Sequence, residues 1–262
     1  MKYNNILIIY MKPNSEIEHN TIKKVVDTIK KYKLRYKIIE RSFIKKKICC
    51  NQDLIIIIGG DGTFLRVSHF IDDTPILGVN ANVQKKEGFL MQTNISTFEK
   101  KFKEIIKNIN IIDIDRLETK IIRKNRQIKL PLALNEVFIG HKLPYKMSRY
   151  RIMLKQKEEF QKSSGIIIGT AIGSHAWISS AGGKRLPINK KLFQYVVREP
   201  YEGRLHQHKI TKGFFKDKEE ITIIPESNNL IINIDSLSEE FQITKEDIVI
   251  IKSSDRSLKY IQ

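Results

Sequence analysis

The feature that most constrains this chain is the uninterrupted apolar run at residues 54–58, which is followed at once by Gly-Gly-Asp-Gly-Thr at 59–63. A short β-branched run without charges predicts a strand buried on both faces, as in a parallel α/β sheet. Ligands of such sheets bind beyond the carboxyl ends of the strands. Glycines let a phosphate approach backbone amides and permit positive φ, so we expect a phosphate-binding turn in which Asp61 contacts a reacting hydroxyl or a metal. The alternative is a plain tight turn that caps a helix starting near Phe64.

Length and cysteine content bound the class of protein. The 262 residues suffice for one large domain or two smaller ones. No apolar run approaches the roughly 18 residues needed to cross a bilayer, and the N-terminus leads into a strand rather than a signal peptide. Cys49 and Cys50 are adjacent, which excludes an ordinary long-range disulfide and a zinc site of three or four ligands. We therefore expect a soluble, cytoplasmic protein without a membrane partner, and no metal ligands can be assigned.

The formal net charge of +18 comes from lysines scattered along the whole chain, without a single basic arm or stripe. The simplest interpretation is a solvated basic surface. A functional interpretation is a positive field that attracts polyanionic small molecules such as nucleotides. A nucleic-acid partner is the least favoured interpretation, because no RNA- or DNA-binding signature accompanies the charge.

Strand and helix patterns alternate through the first part of the chain. Strands are predicted at 6–10, 36–40, 54–58 and 75–80, and helices at 17–32, through 67–71 and from 98 to 106. In the first helix, Ile22, Val25, Val26 and Ile29 share one face, and Ser96 or Thr97 is placed to cap the last helix. The pattern predicts an open, doubly wound α/β domain over residues 1–110.

Near residue 111 the apolar period changes to approximately two, which predicts a mainly β domain over 111–262. Its last strand could return to the N-terminal domain, and one helical insert is expected around 175–181. Strands are predicted at 128–134, 136–139, 150–154, 165–169, 220–224, 230–234 and 248–251.

Asn135 and Glu136 interrupt the apolar strand at 132–139. Burying an amide and a carboxylate is costly unless both are partnered, so we expect the pair to face a ligand cleft. The alternative is the polar face of an edge strand.

A segment rich in small residues runs from Gly165 to Gly183. Small residues let a flat base approach the backbone, and Trp177, the only tryptophan of the chain, could stack on that base or fill the core. His175 has no partner at metal-ligand spacing. A third segment, bounded by Gly78 and Gly88, could close over the glycine turn.

Together these motifs resemble the NAD kinase family, and the similarity extends over most of the chain. Residues 59–66 look like the phosphate-binding motif of the family, Asn135-Glu136 like its dinucleotide-contacting pair, and 170–183 like its third motif, in the same order and with similar spacing. In four segments the details are closest to the mitochondrial-type branch of the family: 78–88, 162–165, 173–177 and 197–200.

The resemblance implies the two-domain architecture of NAD kinases and diacylglycerol kinases. It also implies transfer of the γ-phosphoryl group of ATP, with Mg²⁺ or another divalent cation, to the 2′-hydroxyl of the adenosine ribose of NAD. Asp61 would orient that hydroxyl or accept its proton. The phosphates would be bound by Gly59, Gly60, Gly62, Thr63 and Arg66. NAD would be bound by Asn135, Glu136, Lys162, Ser164, Thr170, Ser174, His175, Ala176, Trp177 and Ser180. The family also suggests a homodimer or a homotetramer.

Departures from the commoner family pattern concern the expected NAD contacts. Ser164 stands where that branch has Asp, and Lys162 stands where it has Arg, which keeps the charge but loses bidentate geometry. Ala171, Ile172, His175 and Trp177 replace Pro, Thr, Thr and Tyr, so adenine selectivity could differ.

Two alternatives remain open at the level of sequence. Lipid kinases of the diacylglycerol or sphingosine type share the Gly-Gly-Asp-Gly-Thr turn, but in them Asn-Glu-Val follows the threonine closely, whereas here it lies far downstream at 135–137. The other alternative is a non-catalytic nucleotide- or nucleic-acid-binding protein of the same fold.

Overall fold

The computed structural model describes residues 3–204 and 207–262. These residues divide into two compact units. The first unit runs to Ile114 and includes Ser257–Gln262, and the second unit is Asp115–Arg256. The division differs from the predicted boundary at 110, because Ile111–Ile114 pairs with the last strand of the chain, Leu258–Ile261, inside the first unit.

The first unit is an α/β domain. Its strands are β1 (Ile6–Tyr10), β2 (Tyr36–Glu40), β3 (Leu54–Gly59), β4 (Ile76–Asn80), β5 (Thr93–Asn94), β6 (Ile111–Ile114) and β19 (Leu258–Ile261). Its helices are α1 (Glu16–Lys31), α2 (Lys46–Cys49), α3 (Asp61–Ser68) and α4 (Phe98–Lys107), and Arg41–Phe43 forms a 3-10 turn. The strand order is β2-β1-β3-β4-β19-β6, with β5 against β4. All pairs are parallel except β19 with β6.

The sheet of the first unit is buried on both faces, as its β-branched sequence predicts. Every residue of β3 and β4 is buried. Val25 and Ile29 of α1 pack into the same core as Phe98 and Phe102 of α4. The predicted α/β character of this part of the chain is thereby confirmed. Thr97 does precede α4, but its side chain makes no capping bond, since the hydroxyl pairs with residues 93 and 94 instead.

The second unit consists mainly of antiparallel strands. They are β7 (Leu117–Arg123), β8 (Arg126–Lys129), β9 (Glu136–His141), β10 (Ser148–Leu154), β11 (Lys157–Ser163), β12 (Gly165–Gly169), β13 (Leu192–Arg198), β14 (Lys212–Lys216), β15 (Glu220–Pro225), β16 (Leu230–Ile234), β17 (Glu240–Ile243) and β18 (Asp247–Ser253). One sheet has the order β11-β10-β15-β18-β7-β8, and another has the order β14-β13-β12-β9-β16-β17. Apolar residues from both sheets form one core, which confirms the predicted all-β class.

Two sequence expectations for the second unit need correction or completion. The strand predicted at 128–134 ends at Lys129, and Pro131 follows, which has no N–H for a ladder bond; only Ala133 regains an isolated bridge, to Leu117. The helical insert predicted around 175–181 is present as a 3-10 turn at Gly173–His175 and helix α5 at Trp177–Ser180. In the described part of the chain, no helix is long and apolar enough to cross a membrane.

Candidate functional site

The Gly-Gly-Asp-Gly-Thr turn joins β3 to α3 in the first unit. Helix α3 begins at Asp61, earlier than the predicted start near Phe64, and Gly60 is its N-cap in an extended backbone conformation. None of Gly59, Gly60 and Gly62 has positive φ, so the expectation of a turn built on positive φ is wrong. The amides of residues 61 and 62 instead lie in the first turn of a helix, where N–H groups have no intrahelical partner and attract anions.

The glycines of this turn meet different steric demands. A Cβ atom on Gly59 would lie 2.6 Å from the Thr63 hydroxyl oxygen, so a glycine is needed there for Thr63 to pack beneath the turn. A Cβ atom on Gly62 would have no heavy atom within 4 Å. Position 62 therefore borders open space beside the first turn of α3, which leaves room for a ligand.

That open space belongs to a cavity of about 350 Å³. Residues 60–63 line it together with Met11, Arg41, Lys86 and Glu87. Asp61 is half-buried, and Arg66 lies exposed on α3 outside this lining.

Arg41 was not singled out in the sequence, although it lies in this cavity. Its Nη1 donates a hydrogen bond of 2.9 Å to the hydroxyl of Thr63. Arg41 follows β2 directly, just as Asp61 follows β3, and these strands are parallel. The carboxyl ends of parallel strands meet at one edge of the sheet, which is the signal that could have identified Arg41.

The loop after β4 folds over the glycine turn, as predicted for the segment from Gly78 to Gly88. The amide of Leu90 donates a 2.8 Å hydrogen bond to Oδ1 of Asp61. Gly88 has φ 67°, and a Cβ atom there would collide with the side-chain amide of Asn80. The loop thus fixes one carboxylate oxygen of Asp61, while Oδ2 makes no hydrogen bond with the residues that the structure describes.

Lys86 reaches the same turn from this loop. Its Nζ lies 3.0 Å from Oε1 of Glu18, whose side chain is only 2% exposed. Burial tends to raise the pKa of the Glu18 carboxyl, but hydrogen bonds from the Asn14 amide and Lys86, with the charges of Lys86 and Lys85, hold this pKa below its ordinary value. Glu18 is therefore an ionised anchor for Lys86.

In the second unit, Asn135 directly precedes β9 and Glu136 begins it. Both are buried, at 7% and 3% exposure. Because β9 lies between β12 and β16, the edge-strand alternative is wrong. Oε1 of Glu136 accepts a 3.2 Å hydrogen bond from Ser236, whereas its buried Oε2 has no partner among the described residues. Burial, and secondarily the charge of Asp235, raises the pKa of Glu136 to about 8.

Asp235 is a second residue that the sequence analysis missed. Its carboxylate accepts hydrogen bonds from the amides of Leu134 (2.8 Å), Asn135 (2.7 Å) and Glu136 (3.1 Å). These three bonds fix the backbone that carries the polar pair. The sequence signal is weak: an acidic residue that directly follows the apolar strand β16.

The third motif packs directly against the polar pair. A Cβ atom on Gly173 would lie 1.9 Å from the carbonyl oxygen of Asn135. Thr170 donates a 2.6 Å bond to the carbonyl of Leu134 and accepts one from the Gly173 amide. Ser174 likewise accepts from the amide of Leu186 at 2.8 Å. Buried Thr170 and Ser174 therefore hold the turn in shape.

The remaining predicted NAD contacts occupy different positions. His175 Nε2 lies 2.8 Å from the carbonyl oxygen of Leu186. The Trp177 ring centroid lies 5.1 Å from that of Phe138 on β9. The Arg198 guanidinium, at the end of β13, lies 5.3 Å from the centroid of the half-buried Trp177 ring.

Of the other members of that set, only Ser180 is exposed, at the end of α5, and Ala176 is half-buried. The Nζ atom of Lys162, on β11, lies 4.2 Å from the centroid of the Tyr201 ring. Ser164 directly follows β11, and its amide donates a hydrogen bond to the Arg198 carbonyl. In residues 3–204 and 207–262, no cluster of three His, Cys, Asp or Glu side chains could hold a metal ion.

The chain is similar to known proteins in sequence and in fold. Residues 4–109 match the family model of the ATP-NAD kinase N-terminal domain, and residues 134–262 match that of the ATP-NAD kinase C-terminal domain. The chain is 30% identical to the NAD kinase of Wigglesworthia glossinidia brevipalpis, covering 80% of this chain and 70% of that protein. It is 25% identical to the probable NADH kinase of Oryza sativa subsp. japonica, covering 96% and 83%. Its fold is similar to the ATP complex of the Archaeoglobus fulgidus NAD kinase, with a TM-score of 0.80, 20% identity and coverage of 98% and 93%.

Proposed function

Because this chain belongs to the NAD kinase family, we propose that its first unit binds the phosphates of ATP and that its second unit binds NAD. The enzyme is an ATP-dependent NAD kinase. In the proposed reaction, the 2′-hydroxyl oxygen of the adenosine ribose of NAD forms a bond to the γ-phosphorus of ATP. The bond from that phosphorus to the β,γ-bridging oxygen breaks, which yields NADP and ADP.

The observation that carries the proposal is the position of Asp61 in the cavity of the first unit. The Leu90 amide holds Oδ1, which leaves Oδ2 to accept a hydrogen bond from the ribose hydroxyl. Phosphoryl transfer depends mainly on positioning and electrostatic stabilisation, and the proton leaves late. A carboxylate held in one orientation is suited to this role.

The donor phosphates are proposed to lie beside the first turn of α3. Amide groups there have no intrahelical partner, and the open space at Gly62 lets phosphate oxygens approach them. Gly59, Gly60 and Thr63 shape this turn. A divalent cation such as Mg²⁺ would neutralise negative charge on the phosphates and would need few dedicated protein ligands. Arg66 lies outside the cavity lining and is not part of the proposed donor site.

The dinucleotide is proposed to contact the polar pair of the second unit. A buried carboxyl oxygen without a partner is costly, and a polar group of a ligand would satisfy Oε2 of Glu136. Because the pKa of Glu136 is about 8, this carboxyl keeps its proton near neutral pH and can donate a hydrogen bond. Thr170 and Ser174 act through the turn that they hold, beside Asn135. The further proposed contacts are Lys162, Ser164, His175, Ala176, Trp177 and Ser180.

Four finer points are also part of the proposal. We expect the enzyme to act in the cytoplasm, as its composition suggests, and to work with Mg²⁺ as a homodimer or homotetramer, as the family resemblance suggests. NAD is the proposed acceptor, although the relatives include a probable NADH kinase. Parallel assays with NAD and NADH will therefore define the preferred redox form.

The test is an assay of the purified full chain with ATP, Mg²⁺ and NAD, in which NADP is detected by an NADP-dependent dehydrogenase. Asp61→Asn should lose nearly all turnover, by a factor of about 10² or more, and should keep its affinity for NAD. The matched control is Asp27→Asn at an exposed position of α1, which should turn over normally. Phosphorylation of diacylglycerol or sphingosine instead of NAD, or full activity of Asp61→Asn, would refute the proposal.

A further inference from the structure

We infer that Arg41 and Lys86, two cations outside the glycine-rich motif, bind the donor phosphates, and that Glu18 positions Lys86 for this task. The inference rests on the proposed function, because it concerns the ATP side of the same cavity. It adds residues that neither the motif nor the sequence analysis identified. All of them lie in the first unit.

Arg41 has donor capacity that its present contacts leave unused. Its one hydrogen bond from Nη1 goes to a neutral hydroxyl, that of Thr63. A guanidinium carries five N–H donors in a planar fork, and a hydroxyl satisfies only one of them. Among the described residues, Arg41 makes no ion pair, and the charge of its neighbour Glu40 acts on it without such a contact. Phosphate is the partner that such a fork suits best.

Lys86 is placed by contacts at both ends of its side chain. Its methylene groups run past the N-cap of α3, because a Cβ atom on Gly60 would come within 3.1 Å of the Lys86 Cδ. Its ammonium group is held by Glu18, which itself accepts a 2.8 Å bond from the Asn14 amide. An ammonium group has three donors, so two remain for a ligand. A lysine already ordered in this way loses less side-chain entropy when a ligand binds.

The two cations flank the same turn of helix. Arg41 contacts Thr63 near the end of this turn, and Lys86 passes Gly60 at its start. Between them lie the free amides of α3 and the open space at Gly62. A polyphosphate bound there would meet the bidentate guanidinium of Arg41 on one side and the compact charge of Lys86 on the other. A chain of phosphates can use both cations, whereas the Thr63 hydroxyl uses only one donor of Arg41.

A purely structural role for Arg41 is the competing explanation, because its bond to Thr63 could simply fix the glycine turn. The salt dependence of ATP affinity separates the two explanations, so each dissociation constant is measured at low and at high salt. Loss of a direct charge contact with phosphate makes ATP binding less sensitive to salt, whereas a change in the packing of Thr63 does not. We propose to measure the dissociation constant of Mg²⁺-ATP by isothermal titration calorimetry on the full chain without NAD. The variants are Arg41→Gln, Lys86→Gln and Glu18→Gln, and the dissociation constant of NAD is measured for each as well.

Matched controls are available close by. Arg35 precedes β2 at its amino end and is exposed, so Arg35→Gln removes the same charge from the opposite end of the strand. Lys23 is exposed on α1 and does not line the cavity, so Lys23→Gln is the control for Lys86→Gln. Long-range charge effects on a ligand are screened by salt, so both controls should change ATP affinity by less than about twofold.

We expect Arg41→Gln and Lys86→Gln each to weaken ATP binding by about tenfold or more, with NAD binding unchanged within about twofold. Arg41→Lys should recover part of the loss, since it restores charge without the fork. Glu18→Gln should weaken ATP binding less than Lys86→Gln does. A folded Arg41→Gln protein with unchanged ATP affinity, or an equal loss of ATP and NAD affinity, would overturn the inference. Wild-type protein that binds ATP but makes no NADP would instead refute the proposed function.

Discussion

The buried carboxyl of Glu136 predicts an unusual pH dependence for the stability of the second unit. Burial, and then the charge of Asp235, raises its pKa from an ordinary value of 4.5 to about 8. The folded protein therefore holds this proton more tightly than the unfolded chain does. Between these two pKa values unfolding releases a proton, so the contribution of Glu136 becomes steadily more destabilising as pH rises from 4.5 to about 8.

The size of this effect follows from the same pKa values. Each pH unit above the unfolded pKa costs the folded state about 1.4 kcal/mol, until the folded pKa is reached. Near pH 7.5 the accumulated cost is roughly 4 kcal/mol. Glu136→Gln keeps the shape of the side chain but cannot ionise. The variant should thus have a free energy of unfolding close to that of the wild type near pH 4.5, and should become more stable than the wild type by several kcal/mol near pH 8.

Urea denaturation at a series of pH values measures this difference. The fluorescence of Trp177, the only tryptophan of the chain, reports specifically on the second unit. Glu239→Gln, at an exposed position of the same unit, is the matched control and should leave the pH dependence of the wild type unchanged. If the difference between Glu136→Gln and wild type does not change with pH, the folded protein does not hold Glu136 in its protonated form, and the argument from burial is refuted.

The remaining predictions concern the glycine turn and the anchor of the polar pair. Gly59→Ala should lower the free energy of unfolding by about 1–3 kcal/mol in a denaturant titration, because its methyl group meets the Thr63 hydroxyl. Gly62→Ala should raise that free energy by up to about 1 kcal/mol yet weaken ATP binding, since a helical alanine is favoured but fills the open space; unchanged ATP affinity would contradict the phosphate site. Asp235→Asn should destabilise the second unit by roughly 2–4 kcal/mol in the tryptophan-detected titration. The carboxylate accepts hydrogen bonds from three backbone N–H groups through two oxygens, whereas an asparagine side chain has only one acceptor oxygen. An unchanged unfolding midpoint would show that these bonds contribute little.

Local patterns in the sequence predicted several strands whose environment is uniform, although β13 was missed even though it is mostly buried. Strand β3 is apolar throughout and buried throughout, so its pattern left one interpretation. Strand β11 was missed because its sequence, Lys157–Ser163, is largely polar and its first residues are exposed. It is a strand because it pairs along its whole length with β10, which is itself half-apolar and easily recognised. Hairpin partners of this kind are specified by tertiary pairing rather than by their own periodicity.

In the candidate site, too, local sequence patterns predicted some residues and missed those defined by tertiary contacts. Asp61, Asn135 and Glu136 could be found because each interrupts or ends an apolar strand. Arg41 and Asp235 each follow a strand directly, as Asp61 does, but this position alone did not distinguish them from other polar residues, because their importance comes from contacts with residues distant along the chain. The residues next to them in sequence carry no unusual pattern. Only the pairing of strands brings Arg41 to the glycine turn and Asp235 to Asn135.

The glycine turn shows why a motif predicts a site more reliably than it explains one. Its three glycines suggested two shared purposes, close approach of a phosphate and a backbone with positive φ, but none has positive φ and each meets a different requirement. Gly59 gives space to Thr63, Gly60 gives space to the Lys86 side chain, and Gly62 leaves space that is empty of protein atoms. In the proposed donor site, only the last of these would act on a ligand directly. Substitutions at the first two positions should therefore alter ATP binding through the packing of Thr63 and Lys86, so that affinity and stability change together. At Gly62 the two quantities should change in opposite directions, because the added methyl group contacts no protein atom but occupies the path of the phosphate.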